Sequence, residues 1–424
     1  MKIAITTVGT RGDLQPFIAL GLGLQQAGYE VVLISSKNEE SFVKSYGLDF
    51  FALNVDIQKL MEGDDVKEMS KGSNPLKFFI SHLKGSKKLK QLMVATQQEI
   101  WNGCISADII IYHPGMPIGF FIAKELGKIS IAANPFPIIS TKDYPSILFY
   151  TGPRLGRIYN LITHFIFEKL FWTLSKPALK QFWNKTIQSK MNFSVAPLRQ
   201  QINSGMPVIN GYSKLLFHQP KEWPNNIHTT GSWLIEKEPY YTAPPDLVDF
   251  IAAGKTPVYI GFGSMKDIDS FKATFAIIVE ALQITRQKAV LALGWNNLNY
   301  HEPVPKNIFL IESVAHSWLF PKMAVVIHHG GAGTTAAGLT AGKPTIIIPH
   351  NADQPAWGKR VFELGVGSKP IKKSNLSAVK LATAILYALT PSVIEKAAEL
   401  GQQLRKENGV GTAVAIINEY VKNQ

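Results

Sequence analysis

Twice along the chain, a short apolar run leads into a glycine-containing turn and then into a segment with helical spacing of apolar residues. The first run, Ile3 to Val8, turns at Gly9, and the second, Ala324 to His328, turns at Gly330. A buried strand followed by a tight turn and a helix is the building unit of parallel α/β sheets. The sequence therefore predicts an α/β protein with two such regions.

Further apolar runs of strand length support this pattern in both halves. They are Val31–Ser35, Asp108–Tyr112, Ile129–Ala133, Pro257–Phe262, Ala289–Leu293, Ile308–Ile311 and Thr345–Ile348. Helical spacing is seen in Pro16–Gln26, Phe271–Arg286 and Ser392–Val421.

Prolines accumulate between 217 and 245 and mark a linker. We predict two doubly wound, Rossmann-like domains facing a cleft, at residues 1–217 and 218–424. A last helix, at about 405–424, is expected to pack back on the first domain.

Composition narrows the classes of protein. With 46% apolar residues in 424, the chain can bury a large core, and its net charge of +13 favours anionic partners, although many basic proteins bind nothing anionic. The single cysteine, Cys104, excludes a disulfide within the chain. The N-terminus reads as a strand instead of a secretory signal, and no apolar run reaches the length of a bilayer span. We expect a cytoplasmic protein.

The segment from His328 to Thr335 carries the clearest chemical signal. Its three glycines let the backbone approach a ligand closely, and the free amides at the start of the next helix favour an anion. His329 and Thr334 add hydrogen-bond donors for phosphate oxygens. The segment therefore predicts a phosphate site, with a tight turn and a capping threonine as the alternative.

A second polar group, Asp353 with Gln354, follows the strand that ends at Ile348. The pair is expected on the same edge of the sheet as the glycine turn. A carboxylate beside an amide offers acceptors and donors together, which suits the hydroxyl groups of a sugar. Taken alone, the pair is more typical of a surface loop or a helix cap.

The stretch from His328 to Gln354 resembles the donor-binding signature of the UDP-sugar-dependent glycosyltransferases. The runs Gly9-Thr10-Arg11-Gly12-Asp13-Leu14-Gln15-Pro16, Gly261-Phe262-Gly263-Ser264-Met265 and Pro224 to Trp233 resemble one subgroup of that family. This subgroup contains sterol 3-beta-glucosyltransferases and bacterial glycosyltransferases that modify antibiotics. The resemblance implies the GT-B fold and transfer of a hexose, glucose from UDP-glucose, to a hydroxyl of a lipophilic acceptor.

The resemblance also implies roles for single residues. The phosphates would be contacted by His329, Gly331, Gly333, Thr334 and Ser264. The nucleotide base would be held by the segment that contains Val314, and the sugar by Asp353 and Gln354. Arg11 and Gly12 are placed near the donor as well. Two positions depart from the family pattern: Ser313 stands where many members have a tryptophan, and Ala337 where many have a glutamate. The sterol-type subgroup tends to lack both.

Asp13 occupies the position at which many relatives carry a catalytic histidine, and the resemblance makes it the general base. An alcohol is too weak an acid to ionise first, so a carboxylate must take its proton as the bond to the sugar forms. A single displacement would invert the anomeric centre. The helix start, His329 and Ser264 would stabilise the leaving diphosphate, so no metal and no resident cofactor are expected. Capping of the helix from Pro16 is the alternative role.

The weakly matching region, residues 40–215, is where such enzymes shape their acceptor pocket. Its aromatic residues suit a sterol or another polycyclic acceptor, and the acceptor residues predicted here are Phe136, Tyr144, Phe149 and Trp172. Interleaved Lys and Arg suit peripheral contact with an anionic membrane, on its inner face. Ordinary helical core is the alternative for these aromatics.

Other functions remain open at this point. One is a natural-product glycosyltransferase that uses a deoxysugar donor, and another is a catalytically silent nucleotide-binding scaffold. Nucleic acid is not an expected partner. The basic charge would permit its binding, but the sequence contains no recognised nucleic-acid-binding module.

Overall fold

The computed structural model describes residues 1–7, 9, 11–55, 87–235, 241–262, 268–293, 303–350 and 352–423. At residues 11, 87–90 and 268–271 it describes the backbone alone. The chain divides into two compact units: Met1–Leu234 with Asn408–Gln424, and Ile235–Glu407.

The first unit is built on a parallel sheet. Its strands are β1 (Lys2–Thr6), β2 (Glu30–Ser36), β3 (Asp49–Leu53), β4 (Ile109–Tyr112), β5 (Ile129–Asn134), β6 (Val208–Asn210) and β7 (Ile227–Thr229). The described residues form seven strands in the order β3-β2-β1-β4-β5-β6-β7. The central strands are continuous apolar runs because parallel sheets are covered on both faces. All four residues of β4, for example, are buried.

Helices cover this sheet. They are α1 (Arg11–Gln26), α2 (Glu40–Lys44), α3 (Lys87–Cys104), α4 (Ile118–Glu125), α5 (Arg157–Phe182) and α6 (Pro197–Asn203). The C-terminal helix Gly409–Lys422 belongs to the same unit, where the Tyr29 hydroxyl donates to Asn418 Oδ1 at 2.7 Å.

The second unit repeats the plan with a smaller sheet. Its strands are β8 (Val258–Gly261), β9 (Ala289–Ala292), β10 (Ile308–Ile311), β11 (Val326–His328) and β12 (Thr345–Ile347). Among the described residues they form five parallel strands in the order β10-β9-β8-β11-β12. The helices are α7 (Pro245–Ala252), α8 (Ile268–Thr285), α9 (His316–Leu319), α10 (Ala332–Thr340), α11 (Gln354–Glu363), α12 (Ala378–Ala388) and α13 (Pro391–Leu404). We number Gly409–Lys422 α14.

The predicted α/β class, with a parallel sheet in each half, is confirmed. Three strands were not predicted: β3, β6 and β7. Because β7 pairs with β6 in the first sheet, the boundary predicted after residue 217 lies too early, and the first unit continues to Leu234. The first helix starts at Arg11 rather than Pro16, which lies inside the helix as its sixth residue.

Within the described residues, no single helix is long and apolar enough to cross a membrane. One bent pair, Ala378–Ala388 with Pro391–Lys422, meets the criteria of length and composition, with a bend of 66°.

Candidate functional site

Both sheets have a point at which the strand order reverses, and ligands of doubly wound folds bind there, at the carboxyl ends of the strands. In the first unit this point lies between β1 and β4, where Thr6 pairs with Tyr112. In the second it lies between β8 and β11, where His328 pairs with Gly261. The glycine-rich segment follows β11, and Asp13 lies in the first turn of α1, the helix that follows β1, so both predicted groups lie near the carboxyl ends of these strands.

The glycine-rich turn links β11 to α10. Gly330 has φ +96°, and a Cβ there would lie 2.6 Å from Ile347 Cγ2 and 3.2 Å from the Gln354 carbonyl oxygen. A side chain is therefore excluded on conformation and on space. Gly331 precedes α10 in extended conformation, and the amide and hydroxyl of Thr335 both donate to its carbonyl oxygen. The amides of the first turn, at Ala332, Gly333 and Thr334, lack helical acceptors, as at any helix start.

His329 lies directly over this helix start. A Cβ on Gly331 would sit 2.9 Å from Nε2 of His329, so the imidazole packs against the glycine backbone. Burial lowers the pKa of His329, and a backbone hydrogen bond to Gly261 partly offsets that effect. Among the described residues, Nδ1 of His329 is buried without a hydrogen-bond partner. A neutral imidazole has one N–H, whereas the protonated ring has two, so protonation would let His329 donate both to Gly261 and to an anion beside the free amides.

The neighbouring His328 has a structural role. Its side chain is fully buried, and Nδ1 accepts the amide proton of Gly330 at 3.0 Å, which fixes the turn. Burial lowers the pKa of His328 well below its usual value, and the nearby His329 and His316 lower it further.

The predicted sugar pair, Asp353 and Gln354, stands at the start of α11. Gln354 Oε1 accepts the backbone amide of His350 at 2.8 Å, and Asp353 Oδ2 accepts the indole N–H of Trp357 at 2.8 Å. The preceding Ala352 has φ +51°, an uncommon conformation for a residue with a side chain. The imidazole of His350 lies 6.3 Å from that of His329. The two groups predicted from sequence are thus on one edge of the sheet.

Val314 is partly buried and packs in the same apolar cluster as Ala337 and Trp318. The side chain of Ser313 is exposed. Trp318, four residues after Val314 and on α9, was not among the residues predicted from the sequence. Lys322 Nζ stands 4.3 Å from its ring centroid. Ser264 lies outside the described residues, and the side chain of Arg11 is not among those described.

In the first unit, the third residue of α1 is Asp13, which is half-buried. It is therefore inside the first turn instead of capping the helix, where a negative charge is stabilised by the helix dipole. Its carboxylate packs on Gly9: a Cβ at that glycine would overlap Asp13 Oδ2. Gly9 has φ +146°, and the absence of a side chain there lets the carboxylate lie against the backbone at the end of β1. Gly12 between them is exposed.

Replacement of Gly9 by alanine is expected to destabilise the first unit by about 2–4 kcal/mol, through backbone strain and overlap with Asp13. The matched control is Gly28→Ala, because Gly28 has φ +92° but a Cβ added there would meet nothing within 4 Å. That control carries the conformational strain alone, about 1–2 kcal/mol. Denaturant unfolding measures both, and equal effects would show that Gly9 does not support the carboxylate.

His113, which directly follows β4, was not among the residues predicted from the sequence. Its amide donates to the Thr6 carbonyl oxygen at 2.9 Å, and its Nδ1 accepts the amide proton of Gly115 at 2.9 Å. Burial lowers its pKa to about 4, so the imidazole is neutral and its proton is on Nε2. Among the described residues this buried Nε2 has no hydrogen-bond partner. A polar residue immediately after a buried strand was the signal that could have revealed it.

Of the predicted acceptor residues, Phe136 lies beside His113, with ring centroids 5.8 Å apart. Phe17 of α1, one turn beyond Asp13, contacts the same imidazole at 5.6 Å. These rings form an apolar group at the point where the first sheet reverses. A partly exposed ring on one side and an unpartnered imidazole nitrogen on the other suit an acceptor with a hydroxyl group.

The other predicted acceptor residues lie elsewhere in the first unit. Tyr144 packs against Phe217 at 5.7 Å, and Phe149 ends a short 3₁₀ turn and is half-buried. Trp172 stacks on Phe121 at 5.8 Å, and its indole donates to the Phe193 carbonyl oxygen at 3.2 Å. Trp172 therefore fills the core of the unit, which is the alternative that the sequence left open.

Four histidines that are buried or partly buried make stability sensitive to acid. Burial lowers the pKa of each to about 4: His113, His164, His316 and His350. Histidines of the unfolded chain titrate near 6.5, so below about pH 6.5 unfolding takes up protons and becomes more favourable. We expect the melting temperature, measured by calorimetry, to fall steadily from about pH 6.5 to 4. The variant His164→Asn should show a shallower fall, and an identical fall would contradict this origin.

Within the described part of the chain, no three His, Cys, Asp or Glu side chains are grouped so that they could hold a metal ion.

Two family models match the chain. The glycosyltransferase family 28 N-terminal domain matches residues 3–145, and the erythromycin biosynthesis protein CIII-like C-terminal domain matches residues 277–412. The chain is 32% identical to sterol 3-beta-glucosyltransferase UGT80B1 of Arabidopsis thaliana over 437 residues, which covers 99% of this chain and 68% of the relative. A sterol 3-beta-glucosyltransferase of Sclerotinia sclerotiorum is 34% identical over 440 residues, covering 100% of this chain but only 30% of the relative.

Solved structures show the same architecture. The glycotransferase of kitacinnamycin has a TM-score of 0.69 at 17% identity, covering 99% of this chain and 98% of that one. VinC, crystallised in complex with DTDP, has a TM-score of 0.66 at 14% identity, with 100% of both chains covered. At such identities the likeness shows a shared fold.

Proposed function

The chain belongs to the UDP-sugar-dependent glycosyltransferase family and has its GT-B fold, and we propose that it transfers a hexose to a hydroxyl group of a lipophilic acceptor. The observation that carries this proposal is that two chemically suited features each lie where the strand order of their own sheet reverses. A carboxylate follows the first strand of one unit, and an anion-binding helix start with a histidine follows the fourth strand of the other.

The second unit holds the donor. The amides of the first turn of α10, the hydroxyl of Thr334 and the imidazole of His329 receive the diphosphate, whose charge grows as the bond to the sugar breaks. Asp353 and Gln354 receive the sugar hydroxyls, because a carboxylate beside an amide offers acceptors and donors together. The donor we propose is UDP-glucose, and neither a metal nor a resident cofactor takes part.

The first unit holds the acceptor and the base. Asp13 takes the proton of the acceptor hydroxyl as the oxygen attacks the anomeric carbon, and the diphosphate leaves from the opposite face. One displacement at one carbon inverts its configuration. Gly9 supports this role because it keeps the carboxylate against the end of β1.

The acceptor we propose is a sterol or a similar fused-ring molecule. The partly exposed ring of Phe136 suits such a skeleton, and the N–H of His113 can donate to its hydroxyl oxygen. The relatives named as sterol 3-beta-glucosyltransferases support the same class. An acceptor of this kind resides in lipid, so we further propose a cytoplasmic protein with peripheral contact to an anionic membrane.

A donor and acceptor screen tests the proposal. The purified protein is mixed with UDP-glucose, other UDP-sugars or dTDP-deoxysugars, and a panel of sterols and polyphenols, with and without a metal chelator; products are detected by mass. We expect a hexosylated sterol from UDP-glucose, in β configuration, whether or not the chelator is present. Transfer from dTDP-deoxysugars alone would show that the donor is a deoxysugar nucleotide instead of UDP-glucose. The absence of transfer and of nucleotide release from every donor would instead indicate a silent scaffold.

A further inference from the structure

In the first two turns of helix α5 the buried residues are polar, whereas an ordinary surface helix buries its apolar side. Asn160, Thr163 and His164 are buried, and they hydrogen bond to the backbone of residues 142–146. Asn160 Nδ2 donates to the Lys142 carbonyl oxygen at 2.7 Å, Thr163 Oγ1 accepts the Ser146 amide at 2.9 Å, and His164 Nε2 lies 3.0 Å from the Tyr144 carbonyl oxygen. These bonds fix the rotation of the helix about its axis.

The opposite side, which we term the outer face of α5, is apolar and exposed. It consists of Ile158, Leu161, Ile162, Phe165 and Ile166, which follow the spacing of one helical stripe. The exposed fraction is 76% for Ile158, 50% for Ile162 and 52% for Phe165, and Leu155 just before the helix is 67% exposed. Soluble proteins rarely leave so many large apolar side chains together in water without a binding partner.

Basic residues surround this face. Residues 142–190 contain eight Lys and Arg but only two acidic residues, Asp143 and Glu168. Both acidic side chains are paired: Asp143 Oδ2 lies 2.8 Å from His218 Nε2, and Glu168 Oε2 lies 3.1 Å from Arg199 Nη2. Arg157 and Lys169 are exposed at either end of the stripe, and Lys169 Nζ stands 5.5 Å from the Phe165 ring centroid.

We infer that the outer face of α5 docks on an anionic membrane surface. An apolar stripe with flanking cations is the pattern of helices that lie in the plane of a lipid interface, with apolar side chains among the acyl chains and cations at the headgroups. A second copy of the chain would suit the apolar side chains, but the same cations on both copies would repel each other. The inference rests on the proposed function for its purpose, since it brings a lipid-resident acceptor to the first unit.

Vesicle flotation without donor or acceptor tests the surface independently of catalysis. The vesicles are phosphatidylcholine alone, or phosphatidylcholine with about one third phosphatidylserine. We expect the protein to float with the anionic vesicles, and Ile162→Ser/Phe165→Ser to lower the partition coefficient at least about tenfold. The matched control is Val379→Ser/Leu386→Ser, which removes side chains that are 65% and 52% exposed on α12 of the second unit. It should bind as the native protein does.

A charge-reducing pair separates the two contributions. Arg157→Gln/Lys169→Gln should lower binding to anionic vesicles about fivefold or more, whereas Lys380→Gln/Lys396→Gln, at exposed sites of the second unit, should not. Binding that is unaffected by Ile162→Ser/Phe165→Ser would overturn the inference, as would a native protein that fails to float. The inference would also be overturned if sedimentation detected a dimer of the native protein that Ile162→Ser/Phe165→Ser abolishes. Transfer to a detergent-dispersed acceptor is expected to continue in all four variants.

Discussion

Replacing Asp13 by asparagine should lower kcat by about 10²–10⁴-fold, the usual contribution of a positioned general base. The substitution preserves the size and shape of the side chain but removes its ability to take a proton. The affinity for UDP should not change, because the proposed contacts of the nucleotide lie in the second unit. Steady-state kinetics, with calorimetric titration of UDP, measure both quantities.

The matched control for this experiment is Asp246→Asn. Asp246 also stands in the first turn of a helix, α7, and its side chain is exposed. Both substitutions remove a negative charge from a helix start, which costs about 0.3–1 kcal/mol of stability. A drop in kcat confined to Asp13→Asn therefore reports chemistry. Equal activity of Asp13→Asn and the native enzyme would show that another group takes the proton.

His329→Ala should have the second largest effect, weakening UDP binding at least about tenfold and lowering kcat by about 10²–10³-fold. In the proposed mechanism the imidazole is one of the donors at the position where the diphosphate charge develops, and its loss would weaken the stabilisation of that charge. Nucleotide titration and single-turnover rates measure the two effects. We expect His228→Ala, at a half-buried histidine of the first unit, to leave both unchanged.

The charge of the bound nucleotide provides a second readout for His329. Burial lowers the pKa of this imidazole in the free protein, and a neighbouring anion raises it. Binding of UDP near pH 6 should therefore take up protons, measured as a dependence of the binding enthalpy on the ionisation enthalpy of the buffer. A histidine that only supports the turn would give no such uptake. Proton uptake that persists in His329→Ala would assign it to another group.

Much of the fold could be predicted because most strands are apolar runs of four or more residues that end at a turn. β4 and β8 are examples, and each is buried on both faces. Of the three missed strands, β3 does contain such a run, at residues 50–53, which was not recognised in the sequence. β6 and β7 have only three residues each, so no periodicity can develop, and both are stabilised by pairing with distant segments. The boundary between the units was placed too early for this reason.

The candidate site was predictable where glycine has a conformational role. Gly330 and Gly9 stand out in sequence, and in the structure each allows a close approach that a Cβ would prevent. His113 was not predictable from a motif, because its position depends on the pairing of β1 with β4. The environment of Trp172 likewise depends on Phe121, on another helix, so composition alone could not separate core from acceptor contact.

The position of α14 has a consequence for how the chain is synthesised. Gly409 lies so close to Gly231 that a side chain there would meet its carbonyl oxygen at 2.7 Å, and Val410 packs on Gly23 of α1. The first unit therefore joins segments separated by the whole of Ile235–Glu407. During translation, its earliest residues emerge long before the helix that covers α1, whereas the second unit has all its residues in one stretch. The later half of the protein can therefore complete its core on the ribosome while the earlier half still awaits its last helix.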